Sequence, residues 1–350
     1  MLYLGENILA RASVVMGRPV VRIVKPIPLM GHIAFGVIDR GTNVLQVRPY
    51  TWCPHSCIFC SVDAGPSSRT RQAEFMVDTG WLASWVDLVA EAKGVKVEAL
   101  IDGVGEPIAH PGILDLIERL RSSRWVDRVA IETHGGFLSK RLVEKLDEAG
   151  LNRINLSIDA VNRDKARLLV GVQWYNPSRI LEVAEWAIKN TGVDVVLTPV
   201  LVPGVNEDEM EHLIEWARSV GAGVKSGWPT GVLIQNYQVH KWGRNPPGVR
   251  PWGWSRFYKW LKQLEEKTGY RLRVNPEKIG FRKTPRVAEV YKPGDRVKVH
   301  ILGQGWHVGE LLAVDYRWKR IIAVLGRNAS PGSTIIVKIV RSKDNIYVAR

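Results

Sequence analysis

Cysteine is nearly absent: the 350 residues hold three. So few exclude a disulfide framework and point to a reducing cytoplasm. Long apolar runs are missing too. The longest fall well short of the ~20 residues that cross a bilayer, so no membrane span is expected. No basic stretch followed by an apolar one opens the chain, and no secretory signal is expected. Acidic residues are scarce in one region only. Residues 1–239 carry 25 Lys and Arg against 27 Asp and Glu, whereas residues 240–350 carry 24 against 8, so the surplus behind the net charge of +14 lies in the last third. An ion-pair-rich surface of the thermophilic kind would need both signs. A segment this poor in acids reads as a polyanion-binding appendage, because neutralising phosphates releases counterions and supplies affinity whatever the sequence.

The three cysteines that are present lie within eight positions, in Tyr50–Asp63, Y-T-W-C-P-H-S-C-I-F-C-S-V-D. Cys53, Cys57 and Cys60 follow a C-x3-C-x2-C spacing, so one loop can bring three thiolates to one metal centre. With no fourth cysteine, they suit a four-iron cluster with one iron left open. The alternative is zinc completed by His55, although structural zinc sites usually draw on two separated ligand pairs.

From Val44 to about Tyr237, apolar strands alternate with amphipathic helices. Strands are expected at Val44–Val47, Val95–Ile101, Val126–Ile131, Ile154–Ile158, Val193–Leu197 and near Val232–Tyr237. Helices are expected at Trp81–Lys93, Ile113–Leu120, Ser139–Ala149, Pro177–Lys189 and Glu207–Val220. Strands separated by helices imply a parallel sheet, and six such units a partial (β/α)6 TIM-type barrel with its chemistry at the C-terminal strand ends. Earlier strands are expected at Arg18–Val24 and His32–Ile38. After Pro285, short β segments at Arg296–Leu302, Trp306–Val314, Ile321–Leu325, Thr334–Val340 and Ile346–Ala349, punctuated by Gly and Pro turns, suggest a small all-β barrel. The α/β chain then divides into an N-terminal β extension (1–43), the partial barrel (44–239), a basic, aromatic connecting segment with a helix (240–284) and the small barrel (285–350).

On these motifs the chain resembles the radical S-adenosylmethionine (SAM) superfamily. The cysteine spacing with Phe59 just before the last cysteine is the family's signature. Asp102-Gly103-Val104-Gly105-Glu106-Pro107 resembles its G-x-G-E-P segment. The resemblance implies a [4Fe–4S] cluster on Cys53, Cys57 and Cys60 and SAM as cofactor. The Gly103–Gly105 backbone, Glu106 and Pro107 would receive the methionyl ammonium so that amine and carboxylate chelate the open iron. Glu132-Thr133-His134-Gly135-Gly136 resembles the family's T-N-G segment, with His134 where Asn is usual. His134 could equally fill the strand-to-helix turn. Ser157 and Asp159, in a segment like the family's L-S-I-D, are placed by period two on one face at a strand tip, as ribose or methionyl contacts. Either could also cap the next helix. Thr198 and Pro199 fall in the segment resembling the loop beneath the adenine. Asn206 and Glu209 form a capping pair by their spacing.

In the tail, aromatics interleave with Arg and Lys, as in single-stranded RNA binding. Phe257, Trp260, Leu261 and Leu264 share helical spacing and read as core. Lys241, Arg244, Arg250 and Trp252, with Arg317, Lys319 and Arg320 farther on, are the expected RNA contacts. The K-P-G-D-R-V-K-V and S-P-G-S-T-I-I-V-K-I stretches resemble the TRAM domain, an OB-like RNA-binding barrel of several tRNA-modifying enzymes. Together the resemblances imply an enzyme that uses a 5′-deoxyadenosyl radical to modify a C–H bond in tRNA, supplied with electrons by a ferredoxin or flavodoxin. Three cysteines leave none for the second cluster of methylthiotransferases and molybdopterin-pathway cyclases, or for the catalytic pair of adenine-C2 methyltransferases. Methylation of an already modified nucleoside, for instance a threonylcarbamoyl side chain, survives that count. Modification of a protein residue, and a non-enzymatic RNA-binding protein with a structural metal, are the other readings.

Overall fold

The computed structural model describes residues 11–15 and 17–350. In chain order they form β1 (Arg11–Val15), β2 (Arg18–Ile23), β3 (Gly36–Asp39), β4 (Val44–Arg48), β5 (Glu74–Val77), α1 (Thr79–Lys93), β6 (Val97–Ile101) and α2 (Ile113–Arg121). Next come β7 (Val126–Thr133), α3 (Lys140–Glu148), β8 (Arg153–Leu156), α4 (Arg163–Val170), α5 (Pro177–Asn190), β9 (Asp194–Leu197), β10 (Val200–Leu201) and α6 (Glu209–Val220). The chain ends with β11 (Gln235–Asn236), α7 (Trp254–Thr268), β12 (Arg296–Gln304), β13 (Glu310–Asp315), β14 (Ile321–Leu325), β15 (Thr334–Arg341) and β16 (Val348–Ala349). Local chemistry explains the helix ends. Asp78 accepts the Trp81 N–H at the start of α1, Asn162 caps α4, and Asn176 with Pro177 opens α5. Gly94 and Gly171 close α1 and α4 in the left-handed conformation.

The chain condenses into two compact units. The first combines Met1–Trp52, Ser68–Asp127 and Lys283–Arg350. In it β2 pairs with β1 antiparallel and with β5 parallel, and β4 pairs with β3 antiparallel and with β6 parallel. The strand expected at His32–Ile38 is shorter, Gly36–Asp39. Gly36 explains part of this: at φ +90°, with Leu29 O only 2.1 Å from where a Cβ would sit, it folds the preceding chain back instead of extending it.

The C-terminal strands of the same unit close into a barrel, in the order β12-β13-β14-β16-β15. Val297, Val299 and Ile301 alternate inward from β12 to meet Ile322, Val324 and Tyr347. The strand expected from Trp306 begins only at Glu310, because Trp306–Gly309 is a turn, with Gly309 at φ +79°. The barrel is fastened to the N-terminal segment. Ile321 N–H donates to Met30 O at 3.1 Å and Tyr347 N–H to Gly31 O at 2.8 Å. His32 Nε2 lies 2.9 Å from Glu310 Oε1, both buried.

The second unit, Cys53–Ser67 with Arg128–Arg282, holds most of β7, then β8 and β9 as parallel neighbours with α3 to α6 between and after them. The helix α4 between Asn162 and Gly171 went unread in the sequence. The sixth strand expected near Val232–Tyr237 is also different. Val232 makes a single bridge to Leu197, and only Gln235–Asn236 pairs, with β10. Pro199 explains the break, since it has no N–H to continue the ladder.

Gly31 carries a specific prediction. A Cβ there would fall 2.0 Å from Ile321 O, at φ +138°. Gly332 has φ +83° but open space around it. Gly31→Ala is expected to destabilise by about 3 kcal/mol or more and Gly332→Ala by about 1 kcal/mol. Urea unfolding of the two variants checks the order.

Candidate active site

The cysteine loop of the second unit has almost no regular structure, so its shape comes from bonds to other segments. Ser56 and Ile58 N–H groups donate to Val170 O and Leu169 O at the end of α4, each at 2.9 Å. Gly171 makes that approach possible: a Cβ there would meet Ser56 O at 2.2 Å. Gly65, at φ +95°, passes so close to His55 O that no side chain fits. From the far side, Arg244 donates through Nε to Cys57 O at 2.7 Å, through one terminal nitrogen to Asp63 at 2.8 Å and through the other to Ala64 O at 2.7 Å. The sequence reading placed Arg244 among RNA contacts. The structure corrects this, because its guanidinium is committed to the cysteine loop.

The sulfurs sit in a buried, cation-braced setting. Cys53 and Cys57 are buried and Cys60 half-buried. Cys60 Sγ accepts the Ala64 N–H at 3.2 Å. Cys53 Sγ is 3.7 Å from His55 Nδ1, and Cys57 Sγ is 3.7 Å from His134 Nε2. His134 Nδ1 lies 3.0 Å from Ser157 O, a carbonyl that can only accept, so Nδ1 carries a proton and Nε2 is the nitrogen that faces the sulfur. Burial, then His134, push the His55 pKa far below the usual imidazole value. Burial, then the neighbouring Cys60 and Asp159, push the Cys57 thiol up. Three soft sulfur donors, a backbone N–H on one of them and an arginine bracing their loop fit a thiolate-held iron–sulfur cluster. Among the described residues, no three His, Cys, Asp or Glu side chains, the cysteines included, are grouped to hold a single metal ion, the arrangement that zinc completed by His55 would need. Phe59 is buried.

At the ends of β7, β8 and β9 the expected residues gather in the same unit. Thr133 Oγ1 accepts the Gly135 N–H at 3.0 Å, holding the turn that presents His134. Ser157 and Thr198 hydroxyls are 3.2 Å apart, and Pro199 is buried beside them. Ser157 and Asp159 are not paired on a strand face, since β8 stops at Leu156. Asp159 is 2% exposed; Oδ1 accepts the Val200 N–H at 2.8 Å and Oδ2 has no partner among the described residues. Burial raises its pKa to about 6. Asn206 and Glu209 do not form the expected capping pair. Asn206 instead ties Asp159 O to Val200 O and Val202 N, while Glu209 accepts the Val161 and Asn162 N–H groups. Tertiary partners outcompete the local cap.

Glu106 lies in the first unit, 1% exposed, its N–H on Trp52 O at 2.8 Å and Oε1 3.4 Å from the Ile108 N–H. Its loop is tightly built. A Cβ on Gly105 would lie 2.4 Å from Thr51 O, and one on Gly103 3.2 Å from Tyr50 O, with Pro107 buried behind them. Asp102 receives two bonds from Arg48 and one from Gln46. Arg71, unmarked by any motif, donates to Val104 O, to Thr51 O at 2.7 Å and to Glu74 at 3.1 Å, with its guanidinium 4.5 Å from the Trp306 ring.

The remaining expected RNA contacts divide between the two units. Lys241 lies over the exposed Trp242 ring at 4.9 Å, and Arg250 is exposed. Trp252 is half-buried, faced by Arg256 at 4.4 Å and edged by Trp260 at 5.7 Å. Arg317 and Lys319 are exposed and Arg320 half-buried, and the N–H groups of all three donate to the Asp315 carboxylate. The reading missed the rings beside them. His300 packs at 5.5 Å from Tyr316 and 6.5 Å from Trp318, and Lys298 lies 4.7 Å over Tyr316. The alternation Tyr316-Arg317-Trp318-Lys319 was the available signal.

A family model described as the Radical SAM superfamily matches residues 47–217. An uncharacterized protein of Methanocaldococcus jannaschii is 35% identical over 356 residues, covering 96% of this chain and 82% of its own. A GTP 3′,8-cyclase of Alkaliphilus metalliredigens is 27% identical over 211 residues, 57% of this chain and 63% of the cyclase. In fold, the chain is similar to HydG, a maturase of the [FeFe]-hydrogenase, with a TM-score of 0.51 at 14% identity over 71% of this chain and 50% of that one. The chain thus spans less than two thirds of the cyclase and half of the maturase.

Arg244 and Cys57 give the test of this site. Cys57→Ala is expected to abolish iron uptake, and Arg244→Gln to weaken iron retention against a chelator about tenfold. Because a raised thiol must lose its proton to bind iron, uptake by the unmodified protein falls as pH falls. Iron content after anaerobic reconstitution at several pH values checks both.

Proposed function

The chain belongs to the radical SAM superfamily, and on that premise we propose that it modifies a C–H bond of a nucleoside in tRNA. Enzymes of this superfamily use a [4Fe–4S] cluster and SAM. Here Cys53, Cys57 and Cys60 would hold the cluster, which when reduced supplies one-electron cleavage of SAM and a carbon radical able to take an unactivated hydrogen. The chain's own part is binding and orientation. Glu106, in its rigid loop, would neutralise the methionyl ammonium. Ser157, Thr198 and the unpartnered oxygen of Asp159 offer hydrogen bonds to the ribose hydroxyls. Arg244 keeps the sulfur loop in register.

The charge distribution carries the choice of tRNA. Residues 240–350 hold 24 basic residues against 8 acidic ones. They include the turn where exposed Arg317 and Lys319 stand beside the rings of Tyr316 and Trp318, the pairing of cations with stacking faces that single-stranded nucleic acid uses. The closed barrel carrying that turn supports the TRAM-like reading, with residues 285–350 as the RNA-binding part. The cysteine count leaves no second cluster. Methylation of an already modified nucleoside, such as one bearing a threonylcarbamoyl group, is the product to seek first, with a ferredoxin or flavodoxin as electron donor.

Two outcomes follow. Reconstituted protein treated with dithionite is expected to cleave SAM, and nucleosides from cells with and without the gene to differ by one modification. Arg317→Glu with Lys319→Glu is expected to weaken tRNA binding about tenfold and flatten its salt dependence by roughly two phosphate contacts. Equal binding by the charge-reversed and original proteins rejects the RNA assignment.

A further inference from the structure

One aromatic patch in the second unit has no role in the reading above. Trp174 is 51% exposed and Phe137 40% exposed, with their rings 6.4 Å apart. Large rings left side by side in water mark contact surfaces more often than chance. The other side of Trp174 leads inward. Its ring centroid is 5.2 Å from that of His55, which is fully buried, and His55 Nδ1 is 3.7 Å from Cys53 Sγ. Two contacts therefore connect solvent to a cysteine sulfur.

The neighbours hold this connection in place. Tyr175, fully buried, donates its hydroxyl to His134 O at 2.8 Å and so anchors the residue beside Trp174. A Cβ on Gly136 would fall 2.9 Å from the Trp174 ring and 3.0 Å from His55 Nε2, so the glycine leaves room for the two rings to meet. Charge frames the patch. Arg167, half-buried, donates to Tyr175 O at 3.3 Å and Arg179, exposed, to Leu138 O at 2.7 Å, the carbonyls of the residues that follow Trp174 and Phe137 in the chain. Neither guanidinium has a carboxylate partner among the described residues. Uncompensated arginines around exposed aromatics are the complement of an acidic protein surface.

We infer that Trp174 and Phe137, framed by Arg167 and Arg179, form the docking face for an acidic one-electron carrier protein of the ferredoxin type, with Trp174 and His55 as the path inward to Cys53. The inference rests on the reading that the three cysteines hold an iron–sulfur cluster. The step balances without other reagents: the carrier gives up one electron and is oxidised by one unit, the sulfur-held cluster is reduced by one unit, and no bond or proton moves. Packed rings suit this, because electron transfer weakens steeply with each ångström of empty space.

The test uses full-length, iron-loaded protein and oxidised or reduced ferredoxin as the probe. Anaerobic calorimetry is expected to show salt-sensitive binding that Trp174→Ala and Phe137→Ser each weaken about tenfold, with Trp174→Phe restoring most of it. Stopped-flow reduction by ferredoxin should slow in step with Trp174→Ala, while reduction by dithionite slows far less. Equal slowing with both reductants would mean that Trp174 shapes the cluster site and would overturn the docking face. Loss of tRNA binding with ferredoxin binding intact would overturn it too, by giving the patch to the substrate. Unmodified protein that takes up no iron would instead reject the cluster reading and this inference with it.

Discussion

A loop without regular structure has to keep three sulfurs in fixed places, and it does so with hydrogen bonds borrowed from segments more than a hundred residues away. The carbonyls of Leu169 and Val170 and the guanidinium of Arg244 supply five of them. A neutral bond of this kind is worth about 1 kcal/mol and a charged one about twice that, enough to fix a loop whose own backbone pairs so little. The requirement spreads outward: α4 must end where it does, Gly171 and Gly65 must lack side chains, and Gly243, whose Cβ would sit 2.8 Å from Cys60 O, must let the Arg244 segment close in.

The first unit solves a comparable problem with buried charge. Glu74 is fully buried and takes bonds from Arg18, Thr51 and Arg71, while Arg71 also reaches Val104 O in the Glu106 loop and covers the face of Trp306. A carboxylate and a guanidinium removed from water are tolerable only when each is paired in this way. One side chain thus joins the Glu106 loop to the β12–β13 turn, and the small barrel is built into its unit instead of hanging from it.

Much of this was legible beforehand, for identifiable reasons. Cysteine spacing, strand-to-helix alternation and the glycine pair before Glu106 are local patterns, and local patterns survive in a sequence. The capping reading of Asn206 and Glu209 failed because both residues found stronger partners in the β8 and β9 loops. The continuous sixth strand failed at Pro199, a residue visible in the sequence but judged as part of a ligand loop. Arg244 was read by its company of Trp, Lys and Pro, when its partners were two carbonyls and a carboxylate of a loop at least 180 residues earlier.

By itself, the sequence determined which atoms are available: three thiols and no fourth, a glutamate behind two glycines, and a basic, acid-poor tail. These depend on composition and spacing, which folding cannot change. Tertiary structure alone decided which side chains stand behind those atoms, that Arg244 braces the cysteine loop instead of phosphate, that Arg71 supports the Glu106 loop, and that Trp174 packs against the imidazole beside Cys53. Such pairings join residues far apart in the chain, where geometry after folding, not proximity in sequence, sets who meets whom.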